Sequence, residues 1–205
     1  MKVWGRTNSI NVQKVLWLAD ECGLKYDRID VGGPYGGNDQ QWYLDINPNG
    51  VVPTVEEEGR IFWESNSILR YLAAKYAPGT LWPTDPAERS EAERWMDWQL
   101  TTLHVGMRSV YYALVRTPAD KRDMQVVAAT AAEVGKLWGR VDQALVGRDY
   151  LGGDHFTMGD IAVGCWLHSW FALDLQRPHL PNLGVWYRRL QKRPAYTKHV
   201  MVPLT

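Results

Sequence analysis

The stretch Val51–Leu72, VVPTVEEEGRIFWESNSILRYL, decides the fold. Val51 to Glu56 is β-prone, Gly59 marks a turn, and Ile61 to Trp63 returns, so the first half reads as a hairpin. Proline cannot donate to a ladder, which places Pro53 at a strand start or an edge. Ser65 stands where an N-cap belongs. Ile68, Leu69, Leu72 and Tyr76 then recur at helical spacing.

Upstream, Lys2 to Gly5 reads as a short strand. Val12, Val15, Leu16, Ala19 and Cys22 form one apolar helical face, closed by Gly23. Tyr26 to Val31 is a second strand, and the loop GGPYGGND follows at Gly32–Asp39. A short helix covers about Gln40–Leu44, and Asn47-Pro48-Asn49-Gly50 signals a turn. One helical crossover between the first two strands predicts that they run parallel. The glycine-rich loop matches neither phosphate-binding spacing, G-x-G-x-x-G or G-x-x-x-x-G-K-[ST].

Downstream, Ala77 to Pro86 is proline-rich and reads as a linker; everything beyond is helical. The expected organisation is residues 1–77, a linker at 78–87 and an all-α region at 88–205. Asp85-Pro86-x-Glu88 has the form of a helix start, and Thr117-Pro118-Ala119-Asp120 repeats it. From Met124, a 3–4 spacing runs through Val127, Ala131, Val134, Leu137, Val141 and Leu145. Thr157 and Asp160 make a capping box, with Phe156 and Ile161 placed for a hydrophobic staple. The next run, DIAVGCWLHSWF, is apolar nearly all round and predicts one buried helix. A last helix is expected over about Leu183–Arg193, stopped by Pro194.

The 205 residues carry 23 basic and 23 acidic side chains. Net charge therefore argues for neither nucleic acid nor an anionic membrane as partner. The first residues lack a signal-peptide core and no run reaches membrane-spanning length, so a cytoplasmic protein is the default expectation. Two cysteines, Cys22 and Cys165, form no Cys-x-x-Cys motif and read as buried free thiols. Five histidines show no ligand spacing, and no metal is expected. Eleven tryptophans point to large cores or a roomy aromatic pocket.

Four stretches together resemble the soluble glutathione S-transferase family, with bacterial theta-like and nu-like features. They are SINVQKVLWLADECGL (from Ser9), NPNGVVPTVEEEG (from Asn47), WESNSILRYL (from Trp63) and FTMGDIA (from Phe156). The resemblance covers essentially the whole chain. It implies an α+β thioredoxin-like N-terminal domain followed by an all-α C-terminal domain, and a homodimer. It also implies glutathione as co-substrate, with no tightly bound cofactor and a hydrophobic electrophile as second substrate.

Residue by residue, the resemblance implies a cis bond before Pro53 that turns the Val52 backbone toward the cysteinyl part of glutathione. It implies that Glu64 and Ser65 hold the γ-glutamyl end. Chemistry agrees, because Glu64 suits the ammonium, while the Ser65 hydroxyl and free helix N–H groups suit the carboxylate. Ser9 matches the catalytic serine of theta-like enzymes. Asn11 matches the asparagine used by nu-like enzymes, so both remain candidate thiolate donors. A theta-like histidine contact is replaced by Gly50, leaving Asn49, Gln41 or loop backbone to grip the glycyl end. For the electrophile site, the first long helix of the second domain offers His104, Met107, Arg108, Tyr111 and Tyr112, with Trp166 or Trp170 as additions. Tyr111 and Tyr112 diverge by about 100° and are not expected to face one way. Arg108 reads either as a steering charge for an anionic substrate or as an ordinary ion-pair partner. Alternatives to conjugation are a glutathione-dependent peroxidase or disulfide reductase, and a non-catalytic carrier of hydrophobic ligands. The apolar face from Ala92 to Leu103 is expected to leave surface for a partner to cover.

Overall fold

The computed structural model describes all 205 residues. Strand β1 (Lys2–Trp4) pairs parallel with β2 (Asp27–Ile29) across the helix α1 (Ile10–Glu21). On its other side β1 pairs antiparallel with β3 (Thr54–Glu57), which pairs antiparallel with β4 (Arg60–Trp63). The sheet order is β2-β1-β3-β4. Glu57 pairs with Arg60, so the hairpin loop is Glu58-Gly59, and both loop residues have positive φ (51° and 74°). That is the primed turn whose twist matches the strands. Pro53 immediately precedes β3, and the Val52–Pro53 bond is cis.

One sheet face, at Val3 and Val55, packs into the main core. The other buries Trp4 with Val31 and Tyr43 under the short helix α2 (Gln41–Leu44). Helix α3 (Ser65–Tyr76) ends the first half. Glu64, not Ser65, is its N-cap residue; Ser65 is the first helical residue and is buried. The cause is the φ of 67° at Glu64, which makes the sharp change of direction one residue earlier than the cap preference suggests.

Helix α4 (Pro86–Trp98) is capped by Asp85, whose carboxylate accepts from the Ala87 and Glu88 amides. It runs through a π-helical turn at Gln99–Leu103 into α5 (His104–Tyr111), then through a second at Tyr112–Arg116. The start expected at Thr117-Pro118 is only a 3-10 turn at Ala119–Lys121. The long helix α6 (Met124–Ala144) starts where the 3–4 spacing begins, with Asp123 capping the Gln125 and Val126 amides. The run expected as one helix divides into α7 (Met158–Gly164) and α8 (Leu167–Ala172) at Cys165-Trp166. Pro194 does stop α9 (Pro181–Leu190), but it also opens a further helix, α10 (Pro194–His199), at the first-turn position proline tolerates.

The two halves share one hydrophobic cluster of 40 buried residues. Its centre is α1, which is buried on nearly every side: Trp17 packs edge-on to Tyr196 of α10 at 4.8 Å. The Ala92–Leu103 face is mostly used internally. Ala92, Met96 and Leu103 are buried, because α4 and α7 approach closely enough that a Cβ on Gly159 would sit 2.7 Å from the Ala92 carbonyl oxygen. Cys165 is buried and Cys22 is half-buried; both are free. No helix is long and apolar enough to cross a membrane.

Candidate active site

Between the halves, at the N-terminus of α1, lies a cavity of about 320 Å³. Its first wall is the β1–α1 loop with Arg6, Asn8 and Ser9, continued by Asn11 in the first turn of α1. A second is the glycine-rich loop with Asn38, together with Gly50 and Val52. The third is the α5 helix and its π-helical extension, with His104, Arg108, Tyr111, Tyr112 and Arg116.

Ser9 is the N-cap residue of α1 by backbone. Its carbonyl accepts from the Gln13 amide at 2.9 Å, yet its hydroxyl makes no capping bond. The Oδ1 atoms of Asn11 and Asn8 and the Nε of Arg6 are buried without partners. Buried polar groups are normally paired, so these three residues on the cavity lining keep hydrogen-bonding capacity that the fold does not use. The cavity lies at the positive end of α1, and that end, with the Arg6 guanidinium, favours an anion.

The Val52 wall is held from behind. The Tyr43 hydroxyl donates to the Val51 carbonyl and contacts Thr54 Oγ1, both at 2.8 Å. Asn47 Nδ2 donates to the same two oxygens at 2.8 and 3.0 Å. This buried network brackets the cis bond from both sides and sets where the Val52 backbone points.

Lys14, one turn along α1, is fully buried. Its Nζ donates to Gln99 Oε1 (2.6 Å) and Asn66 Oδ1 (3.1 Å) and lies 3.5 Å from Ser65 Oγ. It joins α1, the start of α3 and the first π-helical turn. Burial pulls its pKa down to about 8. His104 accepts at Nδ1 from Trp166 Nε1 at 3.3 Å, which leaves Nε2 as the protonated nitrogen. Burial, with Lys14 and Arg108 nearby, holds its pKa near 4. At neutral pH His104 is an uncharged hydrogen-bond donor and a poor base. Burial raises the Cys165 thiol to about 12 and Cys22 to about 11. Neither supplies a thiolate near neutral pH, so any sulfur nucleophile must arrive with a ligand.

Family models for the glutathione S-transferase N-terminal domain and C-terminal domain match residues 8–75 and 124–189. The chain belongs to the glutathione S-transferase family. It is 42% identical to glutathione S-transferase GstB of Escherichia coli K12, over 99% of both chains. Among solved structures it resembles the glutathione-bound theta class glutathione S-transferase of Xanthomonas axonopodis pv. citri, with a TM-score of 0.96 and 48% identity over 100% of this chain and 98% of that one. A more distant relative, the disulfide-bond oxidoreductase YfcG of E. coli K12, is 26% identical over 90% of this chain and 87% of its own.

The cavity gathers Ser9, Asn11, Val52, His104, Arg108, Tyr111 and Tyr112, with Trp166 but not Trp170. Both tyrosines reach it despite being consecutive: Tyr111 is buried, Tyr112 is exposed, and the cavity is broad enough to span their divergence. Met107 does not line it; the residue is fully buried in the helical core. Gln41 is exposed and bonds Asp45, while Asn49 bonds Asn47 within its turn, so neither lines the cavity. Glu64 and Ser65 stand at the start of α3 outside the lining, with Ser65 tied back to Lys14. Gly50 has φ 61° and would place a Cβ 3.1 Å from the Asn38 carbonyl oxygen. A glycine belongs there, and Asn38 Nδ2 donates to its carbonyl at 2.7 Å. Arg6, Asn8, Asn38 and Arg116 are lining residues that sequence reasoning missed. Only Arg116 carried a signal, lying two helical turns beyond Arg108.

Proposed function

We infer that this protein is a glutathione transferase that joins the glutathione thiolate to an electrophilic small molecule. The observation that carries the reading is a cavity at the positive end of α1, lined by Ser9, whose hydroxyl makes no capping bond, and by Val52. A free thiol has a pKa of about 8.5, so a useful thiolate fraction at neutral pH needs a donor aimed at sulfur. The Ser9 hydroxyl is free to donate, and the Asn11 amide lines the same space. The helix dipole adds to both. Glu64 would pair with the γ-glutamyl ammonium, the Ser65 end of α3 would hold its carboxylate, and the Val52 backbone would meet the cysteinyl unit. The sulfur forms a bond to the electrophilic carbon as the leaving group departs with its electron pair; the thiol proton goes to solvent. Catalysis is then thiolate stabilisation plus proximity.

A glutathione titration followed by tryptophan fluorescence, with ultraviolet detection of thiolate as pH varies, tests this directly. Saturable binding with a thiolate pKa well below the free value is expected. Absence of binding at millimolar glutathione would reject the reading. The second reading, disulfide or hydroperoxide reduction, is supported by the presence of Asn11 on the cavity lining and would replace conjugation if those substrates alone were turned over. As a further part of the proposal the protein acts as a homodimer, for which light scattering should give twice the chain mass.

A further inference from the structure

The cavity wall carries three guanidinium groups and no carboxylate side chain. Arg6 comes from the first half, Arg108 and Arg116 from the α5 helix and its extension. None of the three is in an ion pair, so their charges are not answered by any carboxylate of the chain. Arg108 is therefore not the ordinary surface ion-pair partner its sequence position allowed. Its guanidinium lies over the Tyr112 ring, 4.7 Å from the centroid, which orients it at the rim. Arg6 Nε is buried without a partner, and its pKa is lowered by burial and by the charge of Arg116. The two charges thus repel each other across the same space. Like charges held together without a counterion are unfavourable, and a bound anion removes that penalty. Glutathione is itself anionic, but Arg108 and Arg116 stand on the second-domain wall, beyond the groups proposed to hold it.

We propose that the second substrate is an anion: an electrophile bearing a carboxylate, which Arg108 and Arg116 bind while its reactive carbon faces the thiolate. This rests on the conjugation reading and names its substrate class. Guanidinium forks suit a planar carboxylate, and charge-assisted hydrogen bonds are the stronger kind. The step is substitution: the sulfur–carbon bond forms, the carbon–halogen bond breaks, and halide leaves with the electron pair.

The test uses a chlorodinitrobenzoate and the corresponding neutral chlorodinitrobenzamide, each rate divided by its uncatalysed rate with glutathione. The full chain should prefer the benzoate in kcat/KM by about tenfold or more, as one charged hydrogen bond supplies. The preference should weaken as salt is raised. Arg108→Gln with Arg116→Gln should abolish it, chiefly through KM, and the paired lysine variants should keep part of it. Both positions are exposed, so the replacements leave the core intact. Arg140→Gln, an exposed charge outside the cavity, should leave the ratio unchanged. Equal handling of benzoate and amide, or a preference that survives the double variant, would overturn the proposal while leaving conjugation standing. No turnover of either would overturn both.

Discussion

Replacing Lys14 by methionine separates two opposing energies at the junction of the two halves. The amine is fully buried, and burial lowers its pKa from 10.5 to about 8. Each pKa unit is about 1.4 kcal/mol, so holding the charged amine in the folded state costs about 3 kcal/mol. The folded pKa lies below the unfolded one, so the unfolded chain binds the proton more tightly. The cost is therefore full below about pH 8 and disappears as pH rises toward the unfolded value. Against it, Nζ satisfies Gln99 Oε1 and Asn66 Oδ1, and Gln99 Nε2 already has no partner. Methionine would orphan both acceptors at about 1–3 kcal/mol each. Near pH 7 the two effects roughly cancel, and the variant should be about as stable as the parent. Near pH 9.5 the parent has regained about 2 kcal/mol that the variant cannot, so methionine should then be worse by that amount. The assay is denaturant unfolding of both proteins at both pH values, read as a difference of differences. Thiol and phenol ionisation, common to both chains, then drops out. A stability gap constant within about 0.5 kcal/mol across that range would refute the reasoning.

Ser9→Ala removes a hydroxyl with no capping bond, so stability should change by less than about 0.5 kcal/mol. The bound thiolate pKa should rise by about one unit, read by ultraviolet absorbance; an unchanged value assigns the donor to Asn11. Glu64→Gly relieves a positive φ of 67°, a strain of about 1–3 kcal/mol partly offset by glycine entropy. The melting temperature should rise by about 2–4 °C while glutathione affinity falls. A lower melting temperature with intact affinity would contradict both halves of that expectation. Gly159→Ala drives a methyl to 2.7 Å from the Ala92 carbonyl, so α4 and α7 must separate. A loss of about 2 kcal/mol or more is expected in calorimetry, and a neutral result would mean the helices slide apart freely.

Local signals spoke clearly where partners lie within a few residues. The Glu58-Gly59 hairpin, the Asp85 cap, the Thr157–Asp160 box and the stripe of α3 each depend on spacing of four residues or fewer. The motif around Ser9 and the Val52–Pro53 segment was equally legible as a set of positions. Where a cap motif and the apolar spacing pointed to different starts, the spacing was the better guide. Thr117-Pro118 had the form of a helix start, but α6 begins at Met124, where the 3–4 spacing begins and where Asp123 caps the Gln125 and Val126 amides. The break at Cys165-Trp166 interrupts an unbroken apolar run, so hydropathy contained no mark of it.

The walls of the site were a different matter, because they come from segments about a hundred residues apart. Met107 and Arg108 are adjacent on one helix, and only packing against the core sends one inward and leaves the other at the cavity. Arg6 and Arg116 meet as like charges across space, which no window along the chain contains. Lys14 reads as one polar residue on an apolar helix until α3 and the π-helical turn close over it. The sequence by itself determined most of the elements, the family and a set of candidate site residues. The tertiary structure alone decided which of them share a cavity, which lose their water, and hence which charges are left for a substrate to answer, since burial and long-range proximity are properties of the packed chain.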